Sequence, residues 1–276
     1  MKMLWIIAHK ELRDGIRNRW IAAAIMLLGT LALALSLLGS APTGSIRASS
    51  LDIMVINLAN LSVYLIPLIA LMLSYDSLVA EFERGTMLLL LTYPIARWQV
   101  VMGKFVGHAL ILFMAIFLGY GGAVLILLAS GQADIAGWQA YLSMMLSSLL
   151  LGCVFIALGY LLSILVKERA TAAGSAIALW LIFVVLYDLL LFGLLLLDDQ
   201  QIISQQVLSM LMLASPTDSY RLINLSLFEE VRHASGISAL VSDNAGLSAS
   251  LLSGVMVLWL LVPLAAVLLI FQRREL

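Results

Sequence analysis

The chain has 276 residues, of which 63% are hydrophobic and 11% charged, with a mean hydropathy of +1.09 and a formal charge of -1. Water-soluble domains do not reach that balance, and a chain with no basic surplus is not built to bind nucleic acid. Cys153 is the sole cysteine, so no intramolecular disulfide can form.

A hydrocarbon core of roughly 30 Å needs about 20 helical residues to cross. Apolar runs of suitable length fall at residues 21–38, 53–74, 105–129, 141–166, 175–197 and 251–271. The expectation is an all-α integral membrane protein of six spans, forming one transmembrane domain over residues 1–276. Ahead of the first run, residues 1–20 place Trp5, Ala8, Leu12 and Ile16 on one helical face, with Lys10, Arg13, Asp14 and Arg17 away from it. That is the pattern of an interfacial helix whose cations meet anionic membrane lipid. The arm is too long and too mixed in charge for a signal-peptide n-region, so the first span reads as an uncleaved anchor.

Residues 75–104 form a polar hairpin between the second and third runs. Glu81, Phe82, Glu83, Arg84 and Gly85 make a charged turn, and the apolar piece Met87 to Leu91 is too short to cross a bilayer. Tyr93-Pro94 ends it, because proline removes a helix donor and restrains the residue before it. This piece should lie along the membrane surface. Gly103 and Gly107, one turn apart, let another helix backbone approach the start of the third span.

Lys167, Glu168 and Arg169 form a shorter polar connection before the fifth run. The small residues Ala172, Ala173, Gly174, Ser175, Ala176 and Ala178 follow, suiting close helix contact either within this chain or with a second copy. Asp188 is the one acid deep inside a run. Burying it costs about 2.5–3.5 kcal/mol, which the surrounding Leu, Ile, Val and Phe offset at roughly 0.3–0.6 kcal/mol each. Two readings of it stand: a pathway or inter-subunit polar contact, or a protonated acid satisfied inside the bundle.

In the loop 198–250, Gln201 to Leu213 is amphipathic, and Ser215-Pro216 is an N-cap with proline at the first helical position, opening a helix toward Glu230. Residues 235–248 read as turns. The two helices are expected at the outer membrane surface, with Ser215, Pro216, Asp218, Tyr220 and Arg221 available to a partner.

Twelve of the fifteen Lys and Arg residues would share one side: Lys2, Lys10, Arg13, Arg17, Arg19, Arg84, Arg97, Lys104, Lys167, Arg169, Arg273 and Arg274. Arg47, Arg221 and Arg232 fall on the other, so the positive-inside rule puts both termini in the cytoplasm. Met54, Met144, Met145, Met210, Met212 and Met256 lie toward the opposite side. Thioethers suit Cu(I), but methionine equally fills apolar cores, and no metal site and no bound cofactor is assigned to this chain. The phosphate-binding pattern G-x-x-x-x-G-K-[ST] is absent; Gly103-Lys104-Phe105 lacks both the upstream glycine and the hydroxyl.

The string EFERGTMLLLLTYPIARWQVVMGK, with its acid, Gly-Thr, leucine run, Pro, Arg and closing Gly-Lys, resembles the signature of ABC-2 type permeases. These are the membrane subunits of one class of ATP-binding-cassette transporters. The opening AHKELRDGIRNRW is similar to that family's interfacial helix, and SPTDSYRLINL resembles its members that serve copper-site assembly in nitrous-oxide reductase. The resemblance implies a non-catalytic homodimer in the bacterial inner membrane. Two copies of a separate cytoplasmic ATPase, carrying ATP and Mg, would bind one side, and a periplasmic copper-handling protein the other. It makes Glu81, Phe82, Glu83, Arg84, Gly85 and Arg97 the coupling contacts, with Lys167, Glu168 and Arg169 as a second patch. The rival readings are an ABC-2 exporter for another substrate and a proton-coupled secondary transporter using Asp188, for which no inverted repeat is visible.

Overall fold

A computed structural model describes residues 2–17, 19–39, 50–93, 95–129, 138–197, 205–226 and 248–274. Among them every regular element is helical: α1 (Lys2–Arg17), α2 (Arg19–Gly39), α3 (Ser50–Ser74), α4 (Val79–Glu83), α5 (Thr86–Leu91), α6 (Arg97–Ala129), α7 (Trp138–Leu165), α8 (Arg169–Leu181), a π-helical turn (Ile182–Leu186), α9 (Tyr187–Leu197), α10 (Gln205–Leu213), α11 (Pro216–Ser226) and α12 (Ala249–Arg273). Five segments are long and apolar enough to cross a membrane: Val55–Glu83, Arg97–Ile126, Trp138–Leu165, Arg169–Leu197 and Ala249–Arg273. The sequence led us to expect six. The residues of α2 reach that standard only jointly with α1, from which they bend by 68°. Arg47, Pro94, Arg232 and the turns expected at 235–247 lie outside the described residues.

α7 is apolar all round, which suits a helix enclosed by others rather than one facing lipid. Leu151, Val154, Phe155, Ile156 and Tyr160 are buried in it, and α3, α6, α11 and α12 pack around it. In lipid no hydrophobic drive brings helices together, so close backbone approach through small residues takes its place. A Cβ on Gly152 would meet Ile66 and Leu112, and one on Gly159 would strike Ser74. The Gly103 and Gly107 pair acts as expected. Cβ atoms there would come within 2.9 Å of Ile7 and 2.6 Å of Glu11, so α1 lies directly on α6.

The fifth apolar run forms one continuous helix that begins at Arg169, ahead of the start at 175 expected from sequence, and most of its surface is uncovered by the rest of the chain. Its small residues divide: Ala172 and Ala176 are buried against the chain's own helices, while Gly174 and Ala178 are exposed.

Helix α11 departs from the outward placement expected of it. It is packed into the bundle between α3, α7 and α12, with Ser215, Pro216, Asp218 and Tyr220 buried and Arg221 half-buried. The cause is chemical. Thr217, Tyr220, Arg221 and Asn224 find partners on the spans, so the helix is held inward.

The anchored hairpin and the opposite polar cluster

The hairpin is built on α7. The first N–H groups of a helix lack partners inside it. Here Leu78 N and Val79 N both donate to Ser163 Oγ at 3.0 Å, so a hydroxyl on another helix caps the start of α4. Gly85 then turns the chain between α4 and α5 with φ +69°, a left-handed conformation that glycine adopts without strain. α5 buries Met87 and leaves Leu89 and Tyr93 beyond it each 66% exposed.

Lys104, at 6% side-chain exposure, holds the hairpin to α1 and α6 together. Its Nζ lies 2.9 Å from Glu11 Oε1 and 2.7 Å from Glu81 Oε1. Burial works against the charge of Glu11, but Lys104, His108 and Lys10 outweigh it and hold the carboxyl below its usual range. Next to this triad, the Tyr160 hydroxyl and His108 Nδ1 are 2.7 Å apart, with His108 Nε2 3.8 Å from Glu11 Oε2. Asp76 binds Arg169 at 2.6 Å, a half-exposed pair worth little by itself. A polar cavity of about 460 Å³ opens beside them, lined by Glu11, Asp14, Asp76, His108 and Arg169 among others.

A second clasp ties the hairpin to the last span. Arg97 Nη1 donates to the carbonyls of Phe271, Gln272 and Arg274, each at 2.9 Å, neutralising the carbonyl end of α12. Arg274 donates to Ile164 O at the end of α7 and lies 4.3 Å over the Phe82 ring, which itself meets Phe271 edge-on.

The expected coupling residues therefore divide. Glu81, Phe82, Arg97 and Arg169 face inward to partners in this chain. Glu83, Arg84, Gly85, Lys167 and Glu168 are exposed. The two predicted patches meet, since Arg169 N donates to Glu83 Oε1 at 3.5 Å. Glu11, Asp76, Lys104, His108, Ser163 and Arg274 were missed as site residues. The usable signal was a lysine and a histidine followed by an apolar run, too close to the lipid to be left unpaired.

At the opposite end Asp188 is paired. Arg221 donates to both its oxygens at 2.6 and 2.7 Å and to Asp218 at 3.0 Å. Tyr187, its neighbour in the chain, donates to Leu211 O. The π-helical turn just before Asp188 offsets the helical register, and Thr217 Oγ1 donates to Phe183 O within it at 2.9 Å. Burial pushes the Asp218 carboxyl up to about 6 despite Arg221. Deeper in, Ser62 is 2.8 Å from the Tyr120 hydroxyl, Ser148 is 2.9 Å from that of Tyr220, and Asn224 donates to Ser147 at 3.1 Å. Met144, Met212 and Met256 are buried in the core, the Met144 sulfur accepting from the Ser148 hydroxyl at 3.6 Å, and no group of three or more His, Cys, Asp or Glu able to hold a metal occurs among the described residues.

Membrane-length helices gathered into a bundle, with a braced polar hairpin at one end, are the build of a multi-span membrane protein. The sequence profile of the ABC-2 family transporter proteins matches residues 5–276, and the chain belongs to that family. It is 43% identical over 277 residues to the probable ABC transporter permease protein NosY of Stutzerimonas stutzeri, covering 99% of both chains. To the protein of the same description from Pseudomonas aeruginosa it is 45% identical over 278 residues, again over 99% of each.

Proposed function

We propose that this chain is the permease of a NosY-like complex in the bacterial inner membrane, with both termini cytoplasmic. It couples ATP hydrolysis by two copies of a separate NosF-like ATPase to work on a periplasmic NosD-like protein that handles copper for nitrous-oxide reductase. The observation that carries this reading is the hairpin's division of labour. Glu83, Arg84, Leu88, Leu89 and Tyr93 are exposed for a partner, while Lys104, Ser163 and the Arg97 clasp brace the hairpin from behind. A push on the exposed ridge is thereby delivered to α1, α6, α7 and α12 at once. The 167–169 connection adjoins the ridge and completes the docking surface. The uncovered surface of the fifth span supports a homodimer.

With α11 turned inward, the platform for the NosD-like partner falls to the outer face of α10, where Met210 is exposed. The Asp188–Arg221 pair supports force transmission over proton coupling, because a bidentate guanidinium–carboxylate contact fastens α11 rigidly to the fifth span.

The test is co-purification of the chain with its ATPase. Glu83→Lys with Arg84→Glu should abolish association and leave the melting temperature of the isolated chain unchanged. Normal association and normal nitrous-oxide reductase maturation in that variant would refute the docking assignment.

A further inference from the structure

Helix α1 is divided lengthwise into three strips by what touches it. Ile7, Ala8, Glu11 and Gly15 face inward, against α6 and the cavity beside it. Trp5, Leu12 and Ile16 form an apolar edge, with Trp5 62% and Ile16 57% exposed. Lys10, Arg13 and Arg17, spaced i, i+3, i+7, form a separate exposed cationic edge. Arg13 and Arg17 have no ion pair or hydrogen bond with any described residue, and the ion pair of Lys10 is a loose one of 3.9 Å to Glu11. A concavity of about 430 Å³ runs along this edge, lined by Ile6, His9, Lys10, Arg13, Asp14 and Arg17.

The 68° bend between α1 and α2 sets the orientation. Where α2 crosses the bilayer, as the apolar run at 21–38 leads us to expect, α1 lies close to the membrane plane, so the Trp5 edge enters the acyl region and the cationic edge sits at the depth of the phosphates. Three cations against the one carboxylate of Asp14 leave the edge with a surplus of positive charge. An anion is needed there that is itself part of the membrane. We propose that Lys10, Arg13 and Arg17 form a binding site for the phosphate of an anionic phospholipid headgroup, with Ile6 against its upper acyl chain. The occupant is a lipid rather than a free phosphate because the cationic edge is continuous with an apolar one that dissolved phosphate would leave uncovered.

The experiment is native mass spectrometry of the full chain taken from nanodiscs containing phosphatidylcholine and phosphatidylglycerol, read as the ratio of the two lipids retained. The unmodified chain should retain phosphatidylglycerol preferentially. Each cation near an anionic surface contributes about fivefold, so Arg13→Gln with Arg17→Gln should lower the preference by roughly tenfold or more. Lys10→Gln alone should lower it in part, and serves if the double variant does not reach the membrane. Arg273→Gln, which removes an exposed cation elsewhere, should leave the ratio unchanged. An unaltered ratio in the α1 variants overturns the proposal. So does an equal loss in Arg273→Gln, which would make the attraction nonspecific. Displacement of phosphatidylglycerol by excess inorganic phosphate would make the site one for a free anion and overturn it equally.

Discussion

Replacing Lys104 with methionine keeps most of the side-chain volume and removes the charge between two carboxylates. At 2.9 and 2.7 Å, each contact is about 6 kcal/mol of Coulomb attraction at an effective dielectric of roughly 20. Most of that is consumed in desolvating the three charges. The measurable quantity is what happens when one partner goes: Glu11 and Glu81, at 13% and 19% side-chain exposure, are left facing each other with only the exposed Lys10, 3.9 Å from Glu11, as a counter-charge. Breaking a buried pair in this way costs about 3–5 kcal/mol. Unfolding by SDS titration in mixed micelles, with hydrogen exchange followed in α1 and α4, should show that loss and faster exchange in both helices. Glu11→Gln and Glu81→Gln added to Lys104→Met should recover most of the stability, because the penalty lies in the orphaned charges. A Lys104→Met chain within about 1 kcal/mol of the unmodified one, or no recovery in the triple variant, would show that the triad does not hold the hairpin.

Gly107→Ala puts a methyl 2.6 Å from the Glu11 Cβ, where backbone must yield; overpacking of this kind costs about 1–3 kcal/mol, visible in the same titration, whereas Gly174→Ala, with open space around it, should cost no stability. Asp188→Leu should destabilise by a few kcal/mol by leaving Arg221 with Asp218 alone, and Asp188→Leu with Arg221→Met should be milder than either single change, as a double-mutant cycle would report. For Asp218 the folded carboxyl is raised from 3.8 to about 6, so the fold binds its proton more tightly than the unfolded chain does. Its contribution is therefore lost as pH rises from about 4 to 6 and is constant above that, a fall of about 3 kcal/mol. Asp218→Asn should remove this fall from the pH dependence of SDS unfolding.

The helices were legible because hydropathy is a local property of the chain: runs of about 20 apolar residues must be helical in lipid, where every backbone polar group needs an internal partner. The end of α5 at Leu91 and the Gly103 and Gly107 spacing were legible for similar reasons, each acting within a turn or two of helix. The candidate site was legible only in outline. Glu81 and Glu83 look alike in sequence, yet one faces Lys104 and the other the exterior. α11 was expected at the outer surface because it lies in a loop between two spans, but place in the chain does not distinguish a helix that meets water from one that meets hydroxyls on neighbouring spans.

By itself the sequence determined a helical membrane protein with a charged hairpin, a basic opening helix and one intramembrane acid. The tertiary structure alone decided which of those charges are neutralised inside and which are left for partners. Lys104 meets Glu11 across 93 positions, Arg97 meets Arg274 across 177, and Arg221 meets Asp188 across 33. Such pairings depend on how helices pack against one another, and in lipid that is set by small side chains such as Gly103, Gly107 and Gly159 together with the few polar groups that must find one another.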